Sequence, residues 1–549
     1  MIKSLSAIPF AGSVMASESL FADPFSLMDI EEAQKGYSAG ALSIGPDIYQ
    51  SIGVEPVINC RATLTVIGGS IKLPEVMKAM EYAYPHFVQM DELAMAVGKR
   101  LGELTGAEWG FVSAGAAAGL KHITTACVTG GDPEKLIRVP DLTGFEKTDV
   151  IFPRYSRIIY DHAVRNVGVN IITVDTPEEL ENAISPRTAM IFLYTGPQSF
   201  FSGPLSLENI AKIAKPANVP ILVDAAAEIL TIPNVHLEKG ATIVTYSGGK
   251  ILRGPQSAGI SLGDKNILLS AWQASSPQQG PGRDNKVDRM EFIGMLAAIE
   301  AWVKRDHDAI EKTWMSWLNN ISNRIKDIRS INIDIREPRG LNNRTASMTI
   351  TWDPDVLNIT GEEVAEDFAK NKPRIAIGAR SDHDSGTTSI SINTYVMKPG
   401  EDKIVGDRIY NILSQKHSRK SDTMERPAGD ITGFWDVAVE YNNGNAEHKI
   451  CIENQDGNWL EGFHVGTYSK QDLAGTIEGS QIKMRSNFRV PGNQILFIFS
   501  GTLKDNTITG TLYLGQYLTA RFTAKKSVHT ATRTRIDLPS HGRRNPHSW

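Results

Sequence analysis

A lysine and an aspartate stand at the ends of two apolar runs, where side chains often meet ligands. Lys250 lies in the Gly-rich turn of IVTYSGGKILRGPQSAG, directly after a strand-like run. Asp224 ends an earlier apolar run, PILVD. A Gly-rich turn lets the backbone approach a ligand closely, and ligands of open parallel sheets bind at the carboxyl ends of the strands. The two side chains are therefore predicted to share one site.

An amine and a carboxylate placed in this way are the two groups that pyridoxal 5'-phosphate (PLP) chemistry requires. The amine forms a Schiff base with the cofactor, and the carboxylate keeps the pyridine nitrogen protonated so that the ring can accept electrons. We therefore predict that Lys250 and Asp224 are both catalytic and cofactor-binding. Taken singly, such a lysine is often a surface residue and such an aspartate a helix cap, but their order and placement favour PLP.

The cofactor phosphate needs an anion site, for which the start of a helix after a strand is suitable. The segment GFVSAGAAAGL changes from strand-like residues to small residues whose N–H groups can face an anion. Ser113, Gly115 and Ala116 are the predicted phosphate ligands there. Ser247, three residues before the lysine, is predicted to add its hydroxyl. A tightly packed helix start is the alternative interpretation of the same small residues.

Cationic side chains near these segments are candidates for binding an anionic substrate. Arg253, Arg283 and Lys286 are predicted to hold a carboxylate or phosphate, since guanidinium and ammonium groups suit both. Arg61 is a weaker candidate, and surface charge is the favoured interpretation for it. No metal site is predicted, because the three cysteines lie far apart without paired ligand spacing.

The elements that must position these residues follow an α/β rhythm. Short apolar runs alternate with amphipathic stretches, which predicts a mostly parallel sheet between helices. Examples of predicted strands are residues 110–113, 171–174, 190–193, 220–223 and 242–245, and examples of predicted helices are 177–184 and 207–215. A catalytic domain with large and small subdomains is expected over residues 26–415.

The remainder of the chain changes character after this domain. Residues 416–429 are charged and apolar-poor and are predicted to be a linker. Residues 430–527 alternate at a period of two between Gly and Asn turns, which predicts an all-β barrel or sandwich. This domain shows no nucleophile–base pair, so it is interpreted as non-catalytic, with a lipocalin-like ligand cup as the alternative. Residues 528–549 are expected to be a disordered tail.

Composition limits the classes of partner. The chain has 549 residues, a formal charge of −5 and a pI near 6.2, so no broad cationic surface for nucleic acid is indicated. A small-molecule substrate is the expected partner, and no membrane span is expected. Residues 1–25 resemble a short secretory signal or a disordered segment, which leaves the location open between the periplasm and the cytoplasm.

Several motifs resemble one group of PLP enzymes. VDAAAE, SGGK and RGPQSAG, together with VINCRATLTVIGG and FPRYSRIIYDHAVRNVGV, are similar to the bacterial selenocysteine synthase (L-seryl-tRNA(Sec) selenium transferase) and D-glucosaminate-6-phosphate ammonia-lyase group. The resemblance covers residues 50–415. It implies a fold-type I subunit, an active site at a dimer interface, and therefore a homodimer or larger homo-oligomer. By matched position, Lys250 is the Schiff-base lysine and Asp224 the partner of the pyridinium.

The chain departs from the group at two places. Relatives often have R-G-H-R where this chain has RYSR at 154–157, so Ser156 replaces the histidine, and Tyr155 is predicted to stack on the cofactor ring. The late strand TTSISIN has Ser389 and Ser391 where many aminotransferases hold the substrate carboxylate with an arginine. His162 is kept as a candidate because it lies within the matched stretch YDHAVRNVG.

The leading functional hypothesis is a PLP-dependent lyase acting on an amino acid or amino sugar acid. Lys250 removes the α-proton, a β-substituent leaves, and hydrolysis yields a keto acid and ammonia. An aminotransferase is the second hypothesis, and a PLP-fold protein recruited only for binding is the third.

Overall fold

The computed structural model describes residues 40–382, 384–421 and 423–527, and the candidate signal segment and C-terminal tail lie outside these ranges. Within them the chain divides into two compact units, one over 40–420 with 491–493 and the other over 421–490 with 494–527. Among the described residues, no helix is long and apolar enough to cross a membrane.

The first unit contains both sheets and helices. Its strands are β1 (Ile58–Asn59), β2 (Trp109–Ser113), β3 (Asp149–Pro153), β4 (Asn170–Val174), β5 (Thr188–Tyr194), β6 (Ile221–Asp224), β7 (Ile243–Ser247), β8 (Gly259–Gly263), β9 (Ile331–Arg336), β10 (Ser347–Trp352), β11 (Ile375–Ala376), β12 (Gly378–Asp382) and β13 (Thr387–Asn393). Its helices are α1 (Pro74–Ala83), α2 (Met90–Thr105), α3 (Gly115–Thr129), α4 (Pro133–Leu136), α5 (His162–Arg165), α6 (Pro177–Ala183), α7 (Ser199–Ser202), α8 (Leu207–Ala214), α9 (Val235–Glu238), α10 (Lys265–Ala274), α11 (Arg289–Lys304), α12 (His307–Ile325), α13 (Pro354–Leu357), α14 (Gly361–Lys370) and α15 (Glu401–Ser414).

The large subdomain is built on a seven-stranded sheet in the order β2-β8-β7-β6-β5-β3-β4. Strand β8 runs antiparallel to both of its neighbours, while the strands from β7 to β4 are parallel to one another. Strands β3 and β6 are buried along their whole length, as expected for strands covered on both faces by helices. The predicted α/β fold with a mostly parallel sheet is confirmed.

Local signals set the helix boundaries. Helix α6 begins at Pro177, and the Thr176 hydroxyl accepts a hydrogen bond from the backbone N–H of Glu179. Pro at the first helical position and a Thr cap are strong start signals. Helix α8 begins after Ser206 as predicted, although that side chain makes no capping hydrogen bond.

The small subdomain has a four-stranded antiparallel sheet in the order β12-β13-β10-β9, and β1 pairs with β11 in a separate two-stranded parallel sheet. Alternate residues of β10 are buried, so one face of the sheet packs on a core around Trp352 and Phe368. Because β1 precedes the large subdomain in sequence, the chain enters the small subdomain twice.

The second unit is a closed eight-stranded antiparallel barrel, which settles the predicted choice between barrel and sandwich. Burial alternates along its strands, as in Gly433–Tyr441, and the interior is packed around Trp435 and Phe499. The strands are β14 (Gly433–Tyr441), β15 (Gly444–Asp456), β16 (Trp459–Val465), β17 (Lys470–Glu478), β18 (Gln481–Val490), β19 (Asn493–Lys504), β20 (Thr507–Tyr513) and β21 (Thr519–Lys526).

Candidate active site at the carboxyl edge of the sheet

Strand register brings several of the predicted residues to one edge of the seven-stranded sheet. Asp224 ends β6 and is paired with Tyr194, the last residue of β5. Ser113 and Ser247 end β2 and β7, and both are paired with Gly259, the first residue of the reversed strand β8. This edge is the one at which parallel α/β sheets bind ligands.

The turn after β7 presents Lys250 at this edge. The backbone N–H of Arg253 donates a hydrogen bond to the carbonyl of Lys250 (3.0 Å). The backbone N–H of Gly248 donates to the carbonyl of Ala258 (2.8 Å), so hydrogen bonds join the two ends of the turn. Position 248 favours glycine, because a Cβ there would lie 2.7 Å from the backbone carbonyl oxygen of Ala258. Burial lowers the pKa of the Lys250 ammonium, and the nearby Asp224 carboxylate opposes that effect.

Asp224 is 2% exposed, and one carboxylate oxygen accepts a hydrogen bond from the backbone N–H of Ala226 (3.0 Å). Burial raises the pKa of Asp224, while the Ala226 N–H and the charge of Lys250 lower it. The aspartate and the lysine therefore influence each other's ionisation. Oppositely perturbed acid and base groups of this kind are typical of functional sites.

One residue, Ala114, separates the end of β2 from helix α3, whose first N–H groups have no side-chain cap. Gly115 has a left-handed φ of 76° at this start. Gly259 allows the close approach of β8, since a Cβ there would lie 2.7 Å from the Ala116 nitrogen. The uncapped helix start, which lies beside the first residue of β8, is suited to binding an anion. The Ser113 hydroxyl donates to the Gly115 carbonyl (2.9 Å).

In the turn after β3, the side chains of Tyr155 and Ser156 form hydrogen bonds with backbone groups. The Tyr155 hydroxyl donates to the Leu205 carbonyl (2.8 Å), and burial raises the pKa of Tyr155. Ser156, at the position where relatives often have histidine, is buried and accepts a hydrogen bond from the backbone N–H of Tyr194 (3.0 Å). The hydroxyl of Tyr155 is thus anchored, and stacking by its ring stays a prediction.

Sequence reasoning missed two tyrosines and a buried acid near Asp224. The Lys250 Nζ lies 6.0 Å from the centre of the Tyr160 ring. Burial raises the pKa of Tyr194 to about 12, and the Asp224 charge adds to that effect. Glu228 is buried beside His236, with 2.5 Å between carboxylate oxygen and ring nitrogen. Tyr194 had a sequence signal, because it ends an apolar strand as Asp224 does.

The predicted substrate-binding cations are distributed unequally. Arg253 belongs to the Lys250 turn, where its Nε donates to the Ile71 carbonyl (2.9 Å). Arg283 donates to the Ser276 hydroxyl (2.9 Å) in the loop before α11. Lys286 is exposed and lines a cavity of about 450 Å³ whose lining contains none of the residues at the sheet edge. Roles for Arg283 and Lys286 therefore stay predictions, and the same holds for the exposed His162.

The residues at the sheet edge fit PLP. They offer an amine for the aldehyde, a buried carboxylate for the pyridine nitrogen, and an uncapped helix start for the phosphate. Ser70 lies beside the lysine turn, because its backbone N–H donates a hydrogen bond to the carbonyl of Gly249. Its buried hydroxyl has no hydrogen-bond partner in the part of the chain that the structure describes. Buried hydroxyls in native proteins usually have a hydrogen-bond partner, so this one is available to a ligand bound beside the lysine turn.

Comparisons with known proteins agree with this geometry. Residues 73–265 match the family model described as Cys/Met metabolism PLP-dependent enzyme. The chain is 29% identical over 301 residues to the D-glucosaminate-6-phosphate ammonia lyase of Salmonella typhimurium, covering 53% of this chain and 79% of the relative. It is 26% identical over 339 residues to the 5'-C-glycyluridine monooxygenase-decarboxylase of a Streptomyces species, covering 60% and 83%.

A more distant similarity, 28% identity over 228 residues, is to the L-seryl-tRNA(Sec) selenium transferase of Proteus mirabilis, of which 45% is covered. Among solved structures, a D-glucosaminate-6-phosphate ammonia-lyase superposes with a TM-score of 0.59 at 26% identity, covering 68% of this chain and all of that one. The resemblance stated from the sequence motifs is confirmed, and so is the fold-type I architecture.

Proposed function

We propose that this chain, a PLP-dependent enzyme with the fold-type I architecture, is a lyase that eliminates a β-substituent and releases ammonia from an amino acid or amino sugar acid. The observation that carries the proposal is the coupled pair of Lys250 and Asp224 at the carboxyl edge of the sheet. Similarity to an ammonia lyase over 79% of its length supports it. Because the chain is an enzyme, the hypothesis of a protein used only for binding is set aside.

Lys250 would hold the cofactor through its ε-amino group. Its lowered pKa increases the fraction of neutral amine, which is the form that reacts with an aldehyde. Once a substrate amine takes its place on the cofactor, Lys250 is free to accept the α-proton of the substrate. A lysine whose pKa is lowered toward the working pH is suited to this proton transfer.

Asp224 would face the pyridine nitrogen of the cofactor and keep it protonated. The bound cofactor supplies an electron sink for the bond that breaks at the α-carbon. Asp224 is only 2% exposed, so burial destabilises its charged carboxylate. A protonated pyridine nitrogen opposite it would form an ion pair that stabilises both charges. The Ala226 N–H fixes the orientation of that carboxylate.

The first turn of α3 would bind the cofactor phosphate. Ser113, Gly115 and Ala116 belong to the strand end and helix start, and Ser247 ends the neighbouring β7. Backbone N–H groups at a helix start favour a dianion both by hydrogen bonding and by the helix dipole. Tyr155 stays the proposed stacking residue, and Tyr160, whose ring centre lies 6.0 Å from the Lys250 Nζ, is a second candidate.

The choice of lyase over aminotransferase rests on the late strand. Strand β13 has Ser389 and Ser391 in its half-exposed and exposed positions, so it offers no arginine for a substrate carboxylate. An aminotransferase also needs a second keto acid in each cycle, whereas a lyase needs one substrate only. A homodimer or larger homo-oligomer, with the site at a dimer interface, is proposed because the resemblance implies it.

The decisive experiment measures ammonia from the purified holoenzyme with hydroxylated amino acids and amino sugar acids, without any keto-acid acceptor. We expect many equivalents of ammonia per subunit. If product formation stops after one equivalent and resumes only when an acceptor is added, the enzyme is an aminotransferase. Sedimentation of the same holoenzyme tests the proposed oligomer.

A further inference from the structure

Shortly after Asp224, a second acid of the same loop is buried against a histidine. Glu228 and His236 are each 1% exposed, and 2.5 Å separates the carboxylate Oε2 from the ring Nε2. Removing ionisable groups from water costs free energy, so they are buried only where a partner compensates that cost. The steps assigned to Lys250 and Asp224 leave this acid–imidazole pair, Glu228 with His236, without a role.

One backbone turn connects this pair to Asp224. The Ala226 N–H donates a hydrogen bond to the Asp224 carboxylate (3.0 Å). The Glu228 N–H donates to the Ala225 carbonyl (2.9 Å), so the backbone of Glu228 closes the turn that contains Ala226. A displacement of Glu228 would therefore move the donor that fixes the Asp224 carboxylate.

The same turn is attached to the loop between β9 and β10. The Ile229 N–H donates to the Leu341 carbonyl (3.1 Å). The Asn343 N–H donates to the Ala227 carbonyl (2.8 Å), and Glu228 lies between these two hydrogen bonds. The backbone of Glu228 is thus held from two sides, by its own turn and by the small subdomain.

The histidine of the pair is anchored to strand β7. The Asn234 side chain accepts a hydrogen bond from the His236 backbone N–H (3.1 Å) and donates one to the Tyr246 hydroxyl (2.7 Å). Tyr246 lies in β7, the strand that leads into the lysine turn. The Phe200 ring packs edge-on against the imidazole, with 5.4 Å between the ring centres. The acid–imidazole pair therefore joins the turn after β6 to the neighbouring strand.

A single hydrogen bond joins the two side chains of the pair. Their remaining polar atoms, the Glu228 Oε1 and the His236 Nδ1, are buried and have no hydrogen-bond partner in the described part of the chain. Replacing either side chain by an apolar one would therefore remove the whole link between the Asp224 turn and helix α9 that the side chains provide.

Glu228 also acts on Asp224 through its charge. Burial is the main cause of the raised pKa of Asp224, and the charge of Glu228 adds to that effect. The His236 Nε2–H stabilises this charge by donating to the Glu228 carboxylate. The pair thus fixes both the backbone donor and the second charge that act on Asp224.

We propose that Glu228 and His236 are positioning residues for Asp224. Their hydrogen bond holds the turn after β6, so that the Asp224 carboxylate keeps its orientation toward the pyridine nitrogen of the cofactor. This inference rests on the proposed function, because it deepens the role proposed for Asp224. A pyridine nitrogen that faces a misplaced carboxylate binds its proton less tightly, which is the consequence to be measured.

The test measures the protonation of the ring nitrogen directly, by the NMR chemical shift of PLP that is isotope-labelled at this nitrogen and bound to the holoenzyme without substrate. Spectra over a range of pH give the pH at which the nitrogen loses its proton. Glu228→Met removes the hydrogen bond and keeps the length of the side chain, whereas Glu228→Gln can keep the hydrogen bond. Asp224→Ala is the reference for a nitrogen without its carboxylate partner.

Two further variants separate this effect from a loss of stability. Phe200→Leu loosens the packing around the imidazole and leaves the pair intact, and Glu238→Gln replaces an exposed acid of the same helix α9. Cofactor content and melting temperature verify folding. If Glu228→Met does not fold, it is replaced by His236→Phe, which keeps a ring beside Phe200 and breaks the same hydrogen bond.

We expect the nitrogen in Glu228→Met to lose its proton at a pH about one unit lower than in the unmodified enzyme, which corresponds to about tenfold weaker proton binding. In Glu228→Gln, proton binding should stay within about threefold of the unmodified enzyme, because the hydrogen bond persists. Phe200→Leu should lower the melting temperature and leave the titration unchanged, and Glu238→Gln should change neither property.

An unchanged titration in Glu228→Met, or an equal shift in Phe200→Leu or Glu228→Gln, would overturn the positioning role. The result does not depend on the reaction type, because no substrate is present. If only Asp224→Ala loses the proton readily, the inference fails and the role of Asp224 stands. If Asp224→Ala titrates like the unmodified enzyme, the role proposed for Asp224 fails, and the positioning role fails with it.

Discussion

Two buried polar clusters in this molecule, one in the barrel and one at the sheet edge, are built from different ionisable residues. In the barrel, the His464 Nε2 lies 3.0 Å from the His448 Nδ1, and the His464 Nδ1 lies 2.8 Å from the Ser486 hydroxyl. At the sheet edge, one oxygen of the buried Asp224 carboxylate accepts a hydrogen bond from the Ala226 N–H (3.0 Å), and the Ser70 hydroxyl beside the lysine turn has no partner among the described residues. The barrel cluster also has a buried atom without a partner in the described part of the chain, the Gln471 Oε1, so unpaired atoms alone do not distinguish a structural cluster from a ligand site.

The two clusters also differ in electrostatics. Burial shifts the pKa of His464 in one direction, to about 3, and the cluster stays neutral. At the sheet edge, burial raises the pKa of Asp224 and lowers that of Lys250, while each group's charge opposes the other's shift. A network of neutral hydrogen-bonded groups stabilises a fold, whereas an acid and a base that shift each other's pKa are typical of sites where protons are transferred.

The largest expected effect is from Lys250→Ala. Turnover should fall below detection, and borohydride should no longer fix the cofactor covalently, because no amine remains to hold it. Mass spectrometry of the reduced protein measures the attachment, with Lys212→Ala, an exposed lysine of α8, as control. Cofactor still fixed at the same site in the variant would show that another lysine carries it.

Asp224→Ala should retain the covalently fixed cofactor but lower kcat by about a hundredfold or more, because the pyridine nitrogen loses the carboxylate that keeps it protonated. Steady-state kinetics measures the effect, and Asp308→Ala, an exposed acid in the first turn of α12, is the control. A kcat near that of the unmodified enzyme would remove Asp224 from its proposed role.

The barrel cluster predicts a pH dependence of stability. The folded-state pKa of His464 is lowered to about 3, so the unfolded chain binds more protons below its own value near 6.5. The contribution of His464 to the free energy of unfolding is therefore fully present above that value. It is lost as the pH falls, by about 2 kcal/mol between pH 7.5 and 5. Hydrogen exchange of the β16 and β18 amides measures it.

Replacing the ring removes this dependence. His464→Gln should flatten the pH profile of exchange in β16 and β18, although the barrel will be less stable at every pH, whereas His86→Gln, at an exposed histidine, should leave the profile unchanged. A steep profile that persists in His464→Gln would assign the titration to another group.

The smallest expected effect is that of removing the barrel. The buried histidines of the barrel bond to each other and to Ser486, and the sheet edge contains the proposed cofactor ligands, so truncation after Ser414 should leave covalent cofactor attachment unchanged. The measurement is again borohydride fixation followed by mass spectrometry. A soluble truncated protein that binds no cofactor would show that the barrel contributes to the site.

Local signals explain what could be predicted from the sequence. The apolar run before Asp224 and the Gly-rich turn around Lys250 specify a strand end and a close backbone approach without reference to distant residues. The alternation of apolar residues likewise predicted the barrel strands. In each case the pattern lies within one element, and the physics of that element is sufficient.

Tyr160 had no comparable signal. It lies in a one-turn 3-10 helix, Ile159–Asp161, and not at the end of a strand. Its place near Lys250 depends on how segments distant in sequence pack, which no local pattern encodes.

The reversed strand β8 has a consequence for the order of folding. Most neighbouring strands of its sheet are joined through helices, but β7 and β8 are antiparallel and are connected by the short turn, residues 248–258, that carries Lys250. Closing a short loop costs little chain entropy and occurs early, whereas the pairing of β8 with the distant β2 is slow. We therefore expect the lysine turn to form before the helix start proposed to bind phosphate is brought beside it, so that the lysine is positioned before the proposed cofactor site is complete.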